Sequence, residues 1–381
     1  MSEDEEFMRR AIDLAERGAG RVAPNPMVGC VITARGRIIG EGWHRLWGGP
    51  HAEVNAMRAV GPDDVSLLHE ASVFVNLEPC AHYGKTPPCA EMLVRAGVRR
   101  VVIANRDPFP EVSGRGIRML QEAGIEVQTG ILETEGRFLN RRFFTLHTLH
   151  RPYVILKWAQ SNDGFIARRS STGGWQRTMI SNASTRQLSH RLRASEMAIL
   201  VGRGTVECDD PMLTVRDFHP QDEPLYGPPH NPIRIILDRE GTVDAKKKVF
   251  HGSMEDSVLV FVHKSAKCTT FANASAFMSR TEWIPIDFDD NVPLQVLDEL
   301  ARRNISSLIV EGGRTTLQQF INAKLWDECR IETNPSLNIF DGLPAPTLPE
   351  VKFRTEQRLD GHLLQTGYRV IPDENRERCL F

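Results

Sequence analysis

Four residues in the first quarter of the chain have the types and spacing of a metal-dependent hydrolytic site. His51 is followed two residues later by Glu53, and Cys80 and Cys89 come further along. One imidazole and two thiolates can hold a zinc ion and leave its fourth coordination position open to water, whose pKa such a site lowers to about 7. A carboxylate beside that water can transfer protons. The sequence therefore predicts a catalytic zinc centre with Glu53 as its proton-transfer group.

A closed structural zinc site is the alternative, because His82 follows Cys80 closely and could be a fourth ligand. Structural sites are usually built from closely spaced cysteine pairs, whereas eight residues separate Cys80 from Cys89. A closed site also gives no role to Glu53. A His-x-Glu sequence followed by Pro-Cys and a second cysteine is the pattern of zinc deaminases that act on nitrogen heterocycles, and it favours the catalytic interpretation.

Composition restricts the class of protein. The chain has 381 residues, of which 41% are hydrophobic and 25% charged, so we expect about two or three globular domains. A net charge of −2 gives no support to nucleic-acid binding. No segment approaches the roughly 18 consecutive apolar residues of a membrane span, and the first residues are acidic, unlike a secretory signal. Seven scattered cysteines favour reduced thiols and a cytoplasmic location.

The elements that must position the four residues alternate between strand and helix patterns. A helical pattern over 4–17 precedes strands over 28–32 and 37–40, and a helix begins at His51. The strand 72–77 leads into Cys80, and a helix begins at Cys89. A bridging helix over 132–149 and the dipeptide Arg151-Pro152 end this part. A second pattern of the same kind follows, with strands expected over 153–157, 198–201, 233–237, 258–261 and 307–310. The predicted fold class is therefore α/β throughout.

Segments of the first half match one family in order and spacing, and they are 25–31, 42–44, 49–56 and 79–89. Together they closely resemble the deaminase domain of bifunctional riboflavin biosynthesis proteins, whose two cysteines stand in a loop of the form P-C-x-H-x-G-x-T-P-P-C. The resemblance implies a cytidine-deaminase-like α/β/α sandwich over residues 1–148, with zinc held by His51, Cys80 and Cys89 and protons carried by Glu53. It also implies that the pyrimidine nucleotide is bound by Asn25, His44, His82 and Lys85.

Segments of the second half are similar to the reductase half of the same proteins, and they are 156–164, 191–194, 199–206, 209–216 and 310–313. The resemblance implies a dihydrofolate-reductase-like α/β domain over residues 149–381 that uses NADPH. The implied substrate-binding residues are Arg193, Leu213, Arg216 and Glu311. The implied cofactor-binding residues are Ala159, Thr205, Asp209, Gly312 and Gly313, with Lys157 as a further polar residue of the site. Glycines just beyond strand ends also let backbone amides approach phosphates.

The resemblance as a whole implies two consecutive steps of riboflavin biosynthesis. The first is hydrolytic deamination of 2,5-diamino-6-ribosylamino-4(3H)-pyrimidinone 5′-phosphate, and the second is reduction of the ribosyl group to ribityl by NADPH. Arg177, Met179 and Arg314 depart from the reductase pattern, so the alternative is a deaminase whose second domain only binds nucleotide or mediates assembly. A nucleic-acid-editing deaminase is disfavoured by the near-neutral charge. The sequence leaves open whether the protein is a homo-oligomer.

Overall fold

A computed structural model describes residues 2–83, 87–109, 113–218, 229–253, 255–266, 279–349, 351–371 and 378–379. The chain divides between residues 150 and 151 into two compact units. Both units mix helices with strands, which confirms the predicted fold class. None of the described helices is both long enough and apolar enough to span a membrane.

The first unit is built on one five-stranded sheet. Its strands are β1 (Gly29–Ala34), β2 (Arg37–Trp43), β3 (Ser72–Leu77), β4 (Arg100–Asn105) and β5 (Glu126–Thr129), in the order β2-β1-β3-β4-β5. Strands β3, β4 and β5 are parallel, and β1 is antiparallel to both of its neighbours. The helices are α1 (Glu3–Glu16), α2 (Ala52–Arg58), α3 (Cys89–Ala96), α4 (Arg115–Glu122), α5 (Glu133–Leu139) and α6 (Arg141–Leu149), and a 3-10 helix spans Pro62–Glu70.

Helices cover both faces of this sheet. Successive strand residues point to opposite sides, so each face carries apolar residues that a helix can bury. On one side Val31, Phe74 and Val102 pack with the apolar residues of α1. On the other side the alternate strand residues pack with α2, α3 and α4. The unit is therefore an α/β/α sandwich. The prediction of one bridging helix over 132–149 is wrong, because this segment forms two helices that meet at Asn140. The side chain of Asn140 makes hydrogen bonds with the backbone N–H and C=O of Met27.

The second unit contains a ten-stranded sheet. In spatial order its strands are β12 (Arg280–Ile286), β11 (Ser257–His263), β10 (Ile233–Leu237), β9 (Ala198–Gly202), β13 (Ser307–Gly312), β6 (Tyr153–Ser161), β14 (Glu328–Asn334), β17 (His362–Ile371) and β16 (Val351–Leu359), and β18 (Arg378–Cys379) pairs with β17. The strands from β12 to β14 are parallel, and β16 and β17 form an antiparallel hairpin beside them.

A small sheet and four helices complete the described part of this unit. The small sheet has the order β15 (Gly342–Pro344), β7 (Phe165–Arg169) and β8 (Trp175–Gln176). The helices are α7 (Ala183–Ser195), α8 (Arg203–Asp209), α9 (Val292–Arg302) and α10 (Arg314–Asn322), and a short 3-10 helix spans Lys248–Phe250. The central strands β6, β9, β10 and β13 each contain a run of buried apolar residues, as parallel strands covered on both faces require. Because β6, β9 and β13 are parallel neighbours, their carboxyl ends lie at the same edge of the sheet. Lys157, Gly202 and Glu311 lie toward that edge.

Candidate active sites

The first site lies at the carboxyl end of β3. His51 is the extended residue that precedes α2, and Glu53 is in the first turn of that helix with only 3% of its surface exposed. Cys80 follows β3 by three residues, and Cys89 begins α3. The backbone N–H of Cys89 at the start of α3 donates to Cys80 Sγ at 3.3 Å, which favours a thiolate at Cys80. Two helix starts and one strand end thus bring together residues that are up to 38 positions apart.

The geometry of these side chains fits a zinc ion. His51 Nδ1 lies 3.6 Å from Cys80 Sγ and 3.4 Å from Cys89 Sγ, and the three ligand atoms lie within 4.8 Å of one another. A tetrahedral ion with Zn–S bonds of about 2.3 Å and Zn–N bonds of about 2.0 Å needs N···S separations of about 3.5 Å. Within the described residues, His82 is not part of this group. The donor set therefore suits an open site with three protein ligands better than a closed one.

The surroundings set the protonation of these groups. Burial, and next the charge of Cys80, raise the pKa of Glu53 to about 7. The side-chain contact of Cys80 with Cys89, and next its contact with His51, lowers the pKa of the Cys80 thiol to about 4. The same contact with Cys80, followed by burial, raises the pKa of the Cys89 thiol. Binding of a divalent cation requires both sulfurs as thiolates and therefore releases protons from this pair.

Asn25 and His44 form the wall beside the three ligands. The Nδ1–H of His44 donates to the carbonyl of Pro50 at 3.0 Å, so its Nε2 is left to accept from the Asn25 amide at 3.2 Å. Burial lowers the pKa of His44, and its ring meets that of His51 edge to face at 5.7 Å. A neutral imidazole and a fixed amide, both adjacent to the ligand set, can orient a flat heterocycle by hydrogen bonds.

The remaining nucleotide-binding residues expected in this unit lie around Cys80. His82 is exposed two residues after Cys80, where it can reach a charged group of a ligand. Lys85 lies outside the described residues. The sequence did not point to Asp107, which follows β4. Its pKa is raised by burial, and it lies close enough to Glu78, His82 and Cys80 to interact with their charges.

The second unit has a buried ionic cluster at the ends of β6 and β13. The carboxylate of Glu311 lies 2.6 Å from Arg193 and 3.3 Å from Lys157. Although burial opposes it, these two cations lower the pKa of Glu311 to about 2. Arg193 also donates to the carbonyl of Thr214, whose hydroxyl accepts from Arg216. Arg193 and Arg216, the two cations expected at the substrate, thus converge near Lys157, which suits a phosphorylated sugar.

Leu213 differs from the other residues expected to bind this substrate. It is 2% exposed and has a backbone φ of +58°. Because its side chain is packed away, only its backbone is available to a ligand. The left-handed conformation at Leu213 turns the chain so that Thr214 faces Arg193 and Arg216.

The glycines of this unit form a cradle that could admit a dinucleotide. Gly202 and Gly313 precede α8 and α10, so two helix starts lie at neighbouring strand ends. A methyl group on Gly312 would lie 2.9 Å from Thr205 Oγ1, so glycine is what lets this backbone lie directly against the first turn of α8. Backbone N–H groups at such helix starts are suited to phosphates. The residues present therefore fit the pyrophosphate of NADPH.

Two further residues, Ala159 and Asp209, are expected at the cofactor. Ala159 is a half-buried residue of β6, and Asp209 ends α8, where burial raises its pKa. Of the departures from the reductase pattern, Met179 is 60% exposed. Arg314 begins α10 and donates to the carbonyl of Ala345, so it is held away from the glycine backbone.

Comparison with known proteins agrees with this division of chemistry. Residues 1–105 match the family model of the cytidine and deoxycytidylate deaminase zinc-binding region, and residues 152–338 match that of the RibD C-terminal domain. A zinc deaminase unit followed by such a domain defines a two-step enzyme class. Riboflavin biosynthesis protein RibD of Escherichia coli is 38% identical over 91% of this chain and 92% of its own. The chain belongs to the RibD family of riboflavin biosynthesis proteins.

Other relatives support the same family. The RibD protein of Aquifex aeolicus is 37% identical over 88% of this chain and 87% of its own. The solved structure of a diaminohydroxyphosphoribosylaminopyrimidine deaminase/5-amino-6-(5-phosphoribosylamino)uracil reductase from Thermotoga maritima is 35% identical, covers 96% of this chain and 98% of its own, and has a TM-score of 0.80. A RibD structure from Acinetobacter baumannii has a TM-score of 0.82 at 34% identity, with the same coverage of both chains. The predicted family, both predicted folds and the bifunctional deaminase and reductase activity are confirmed, with Zn²⁺ and NADPH as cofactors.

Proposed function

We propose that residues 1–148 deaminate 2,5-diamino-6-ribosylamino-4(3H)-pyrimidinone 5′-phosphate and that residues 149–381 reduce the ribosyl group of the product to ribityl. The observation that carries the first assignment is the three-ligand group of His51, Cys80 and Cys89 with buried Glu53 beside it. The activities of the relatives named above support the substrate class. The division between two compact units after residue 150 supports the division of labour.

In the deamination, Glu53 is the group that moves protons. When bound, zinc supplies the Lewis acidity that makes a water molecule nucleophilic at neutral pH. Glu53 takes a proton from the attacking water and delivers it to the departing amino group, so that the C–N bond is replaced by a C–O bond and ammonia leaves. Its carboxyl is buried beside the ligand group, where it can both accept and return a proton.

Substrate binding at the first site requires a flat ring and a phosphate to be held at once. We assign the ring to Asn25 and His44, which bond to each other in the ligand-free protein at 3.2 Å and can exchange that bond for bonds to the heterocycle. We assign the phosphorylated ribose to exposed His82 and to Lys85, since both can carry positive charge. An amide and an imidazole that already face one another lose little freedom on binding.

In the reduction, the cofactor supplies the chemistry and the chain supplies position. NADPH provides the hydride for C1′ of the ribosyl group, and one further proton completes the ribityl chain. Arg193 and Arg216 hold the phosphorylated substrate, and Glu311 holds Lys157 toward the same place through an ion pair of 3.3 Å. The cradle around Gly312 and Gly313, with Ala159, Thr205 and Asp209, holds the cofactor. Leu213 contributes its backbone.

One assay tests both steps together. The pyrimidine nucleotide is supplied to the whole protein, and ammonia release and loss of NADPH absorbance are followed in the same sample, with NADH in a parallel sample. We expect ammonia to appear first and NADPH to be oxidised afterwards. Ammonia release with no oxidation of either cofactor would contradict the assignment of the second unit.

We also propose that the enzyme works in the cytoplasm on a small-molecule substrate. None of Cys30, Cys80, Cys89, Cys208 and Cys329 is in a disulfide, which suits a reducing compartment. The net charge of −2 supports a small-molecule substrate over nucleic acid. Fractionation of cells that express the protein, followed by immunodetection, tests the location, and recovery outside the cytoplasmic fraction would contradict it.

A further inference from the structure

Glu78 is a buried carboxylate between the end of β3 and Pro79-Cys80, and the first site described above has no role for it. It is 4% exposed. One of its oxygens accepts from the backbone N–H groups of Gly116 at 3.0 Å and Ile117 at 3.3 Å. The other accepts from those of Gly114 at 3.0 Å and Asp107 at 3.3 Å. Four main-chain donors therefore converge on one side chain.

These bonds make Glu78 the cap of α4. The first N–H groups of a helix have no partner within the helix and are usually satisfied by a side chain just before it. The residue before α4 is Gly114, which has a backbone φ of +75° and no side chain to offer. Glu78 fills this place from 36 residues earlier. A negative charge at a helix N-terminus is also favoured by the helix dipole.

The packing of α4 against this segment also fixes Pro79, the residue that precedes Cys80. A Cβ atom on Gly116 would lie 2.0 Å from the carbonyl oxygen of Pro79, so α4 lies directly against the Glu78–Pro79 backbone. On its other side Cys80 is held by α3, because Cys89 N–H donates to Cys80 Sγ at 3.3 Å and Ala90 N–H donates to the Cys80 carbonyl at 3.2 Å. The backbone that carries Cys80 is thus held between the starts of two helices.

We propose that Glu78 is a positioning residue of the zinc site, which sets the place of Cys80 Sγ by tying the Pro79-Cys80 backbone to α4. It acts through the backbone and touches neither metal nor substrate. Replacement of a group that holds a metal ligand in place typically lowers metal affinity about 10- to 100-fold. This inference rests on the zinc site proposed above and adds a residue that the metal-ligand pattern does not contain.

The test measures metal binding in the whole protein with Glu78→Gln and Glu78→Asp. In Glu78→Gln the amide NH₂ replaces one acceptor and faces two N–H donors, so two of the four bonds are lost. We expect zinc affinity, measured by competition with a chromogenic chelator, to fall about 10- to 100-fold. We also expect the thiolate-to-metal absorption of the Co²⁺-substituted protein to change in shape, because the Cys80 sulfur moves. Glu78→Asp keeps both oxygens and should recover part of the affinity.

Asp4→Asn is the matched control, because Asp4 is a partly buried carboxylate of the same unit. It pairs with Arg100 at the start of β4, whereas the zinc site lies beyond the other end of the sheet. This variant should lower the melting temperature without changing the Co²⁺ spectrum or zinc affinity. If Glu78→Gln does not fold, Glu78→Asp and Gly116→Ala are measured in its place, and both should weaken zinc binding. Folded variants that keep zinc affinity within twofold and an unchanged Co²⁺ spectrum would overturn the role of Glu78. Failure of the unaltered protein to bind one zinc per chain would instead overturn the zinc site itself.

Discussion

Replacement of Glu311 by glutamine should destabilise the second unit by an amount that depends on pH. The carboxylate is buried between Arg193 and Lys157, and its pKa is lowered from 4.5 to about 2. Because one pKa unit corresponds to about 1.4 kcal/mol, this interaction stabilises the folded state by about 3 kcal/mol near neutrality. The value agrees with the roughly 3–5 kcal/mol lost when one partner of a buried ion pair is removed.

The sign of the pH dependence follows from the lowered pKa. A folded-state pKa below the unfolded value means that the stabilisation is complete above about pH 4.5 and is lost as the pH falls toward about 2. The difference in unfolding free energy between the unaltered protein and Glu311→Gln should therefore shrink from about 3 kcal/mol at about pH 7 to about 1.4 kcal/mol at about pH 3. Glutamine cannot titrate, so the change comes from the unaltered protein.

Urea unfolding at the two pH values measures this difference. Tryptophan fluorescence includes a signal from the second unit, because Trp158 and Trp326 are buried in its core. Glu282→Gln is the control, since Glu282 also pairs with an arginine but is 42% exposed, and exposed pairs contribute at most about 1 kcal/mol. An effect of Glu311→Gln no larger than that of Glu282→Gln, or one that grows toward acid pH, would refute the reasoning.

Two further predictions concern the two cofactors. Cys89→Ser should abolish stoichiometric zinc binding and ammonia release, as measured by metal analysis and the deaminase assay, while NADPH oxidation on deaminated substrate continues. The control is Cys208→Ser, at an exposed cysteine of the second unit, which should change none of these quantities. Retention of zinc by Cys89→Ser would contradict the ligand set. Gly312→Ala should raise the KM for NADPH at least about 10-fold, equivalent to about 1.4 kcal/mol, because its methyl group would lie 2.9 Å from both Thr205 Oγ1 and Val201 Cγ1. Gly61→Ala, where a methyl group meets nothing within 4 Å, should leave that KM unchanged, and an equal KM in both variants would rule out the cradle as the cofactor site.

The candidate zinc site could be predicted from the sequence because its residues stand in short motifs. His51 and Glu53 are two residues apart at the start of one helix, and Cys89 begins α3. The apolar strands of both units were predicted for a similar reason, since burial on both faces leaves continuous runs of hydrophobic residues. Such signals depend on neighbours along the chain.

What the sequence did not reveal depends on distant partners. Glu78 meets α4 between 36 and 39 residues later, and the break at Asn140 follows from a bond to Met27 across 113 residues. The hairpin of β16 and β17 was also missed, because β16 is exposed along most of its length and carries little apolar alternation. Polar contacts between distant segments leave no periodic pattern to detect.

The most direct test of the account is the Glu53→Gln variant assayed for both steps. Glutamine has the size of glutamate but cannot carry the proton, and general acid–base groups contribute about 10²- to 10⁴-fold to rate. The account predicts that ammonia release falls by at least about 10²-fold, while zinc content and NADPH oxidation on deaminated substrate stay unchanged. Full deaminase activity in a zinc-loaded Glu53→Gln protein would contradict the assignment of the first site.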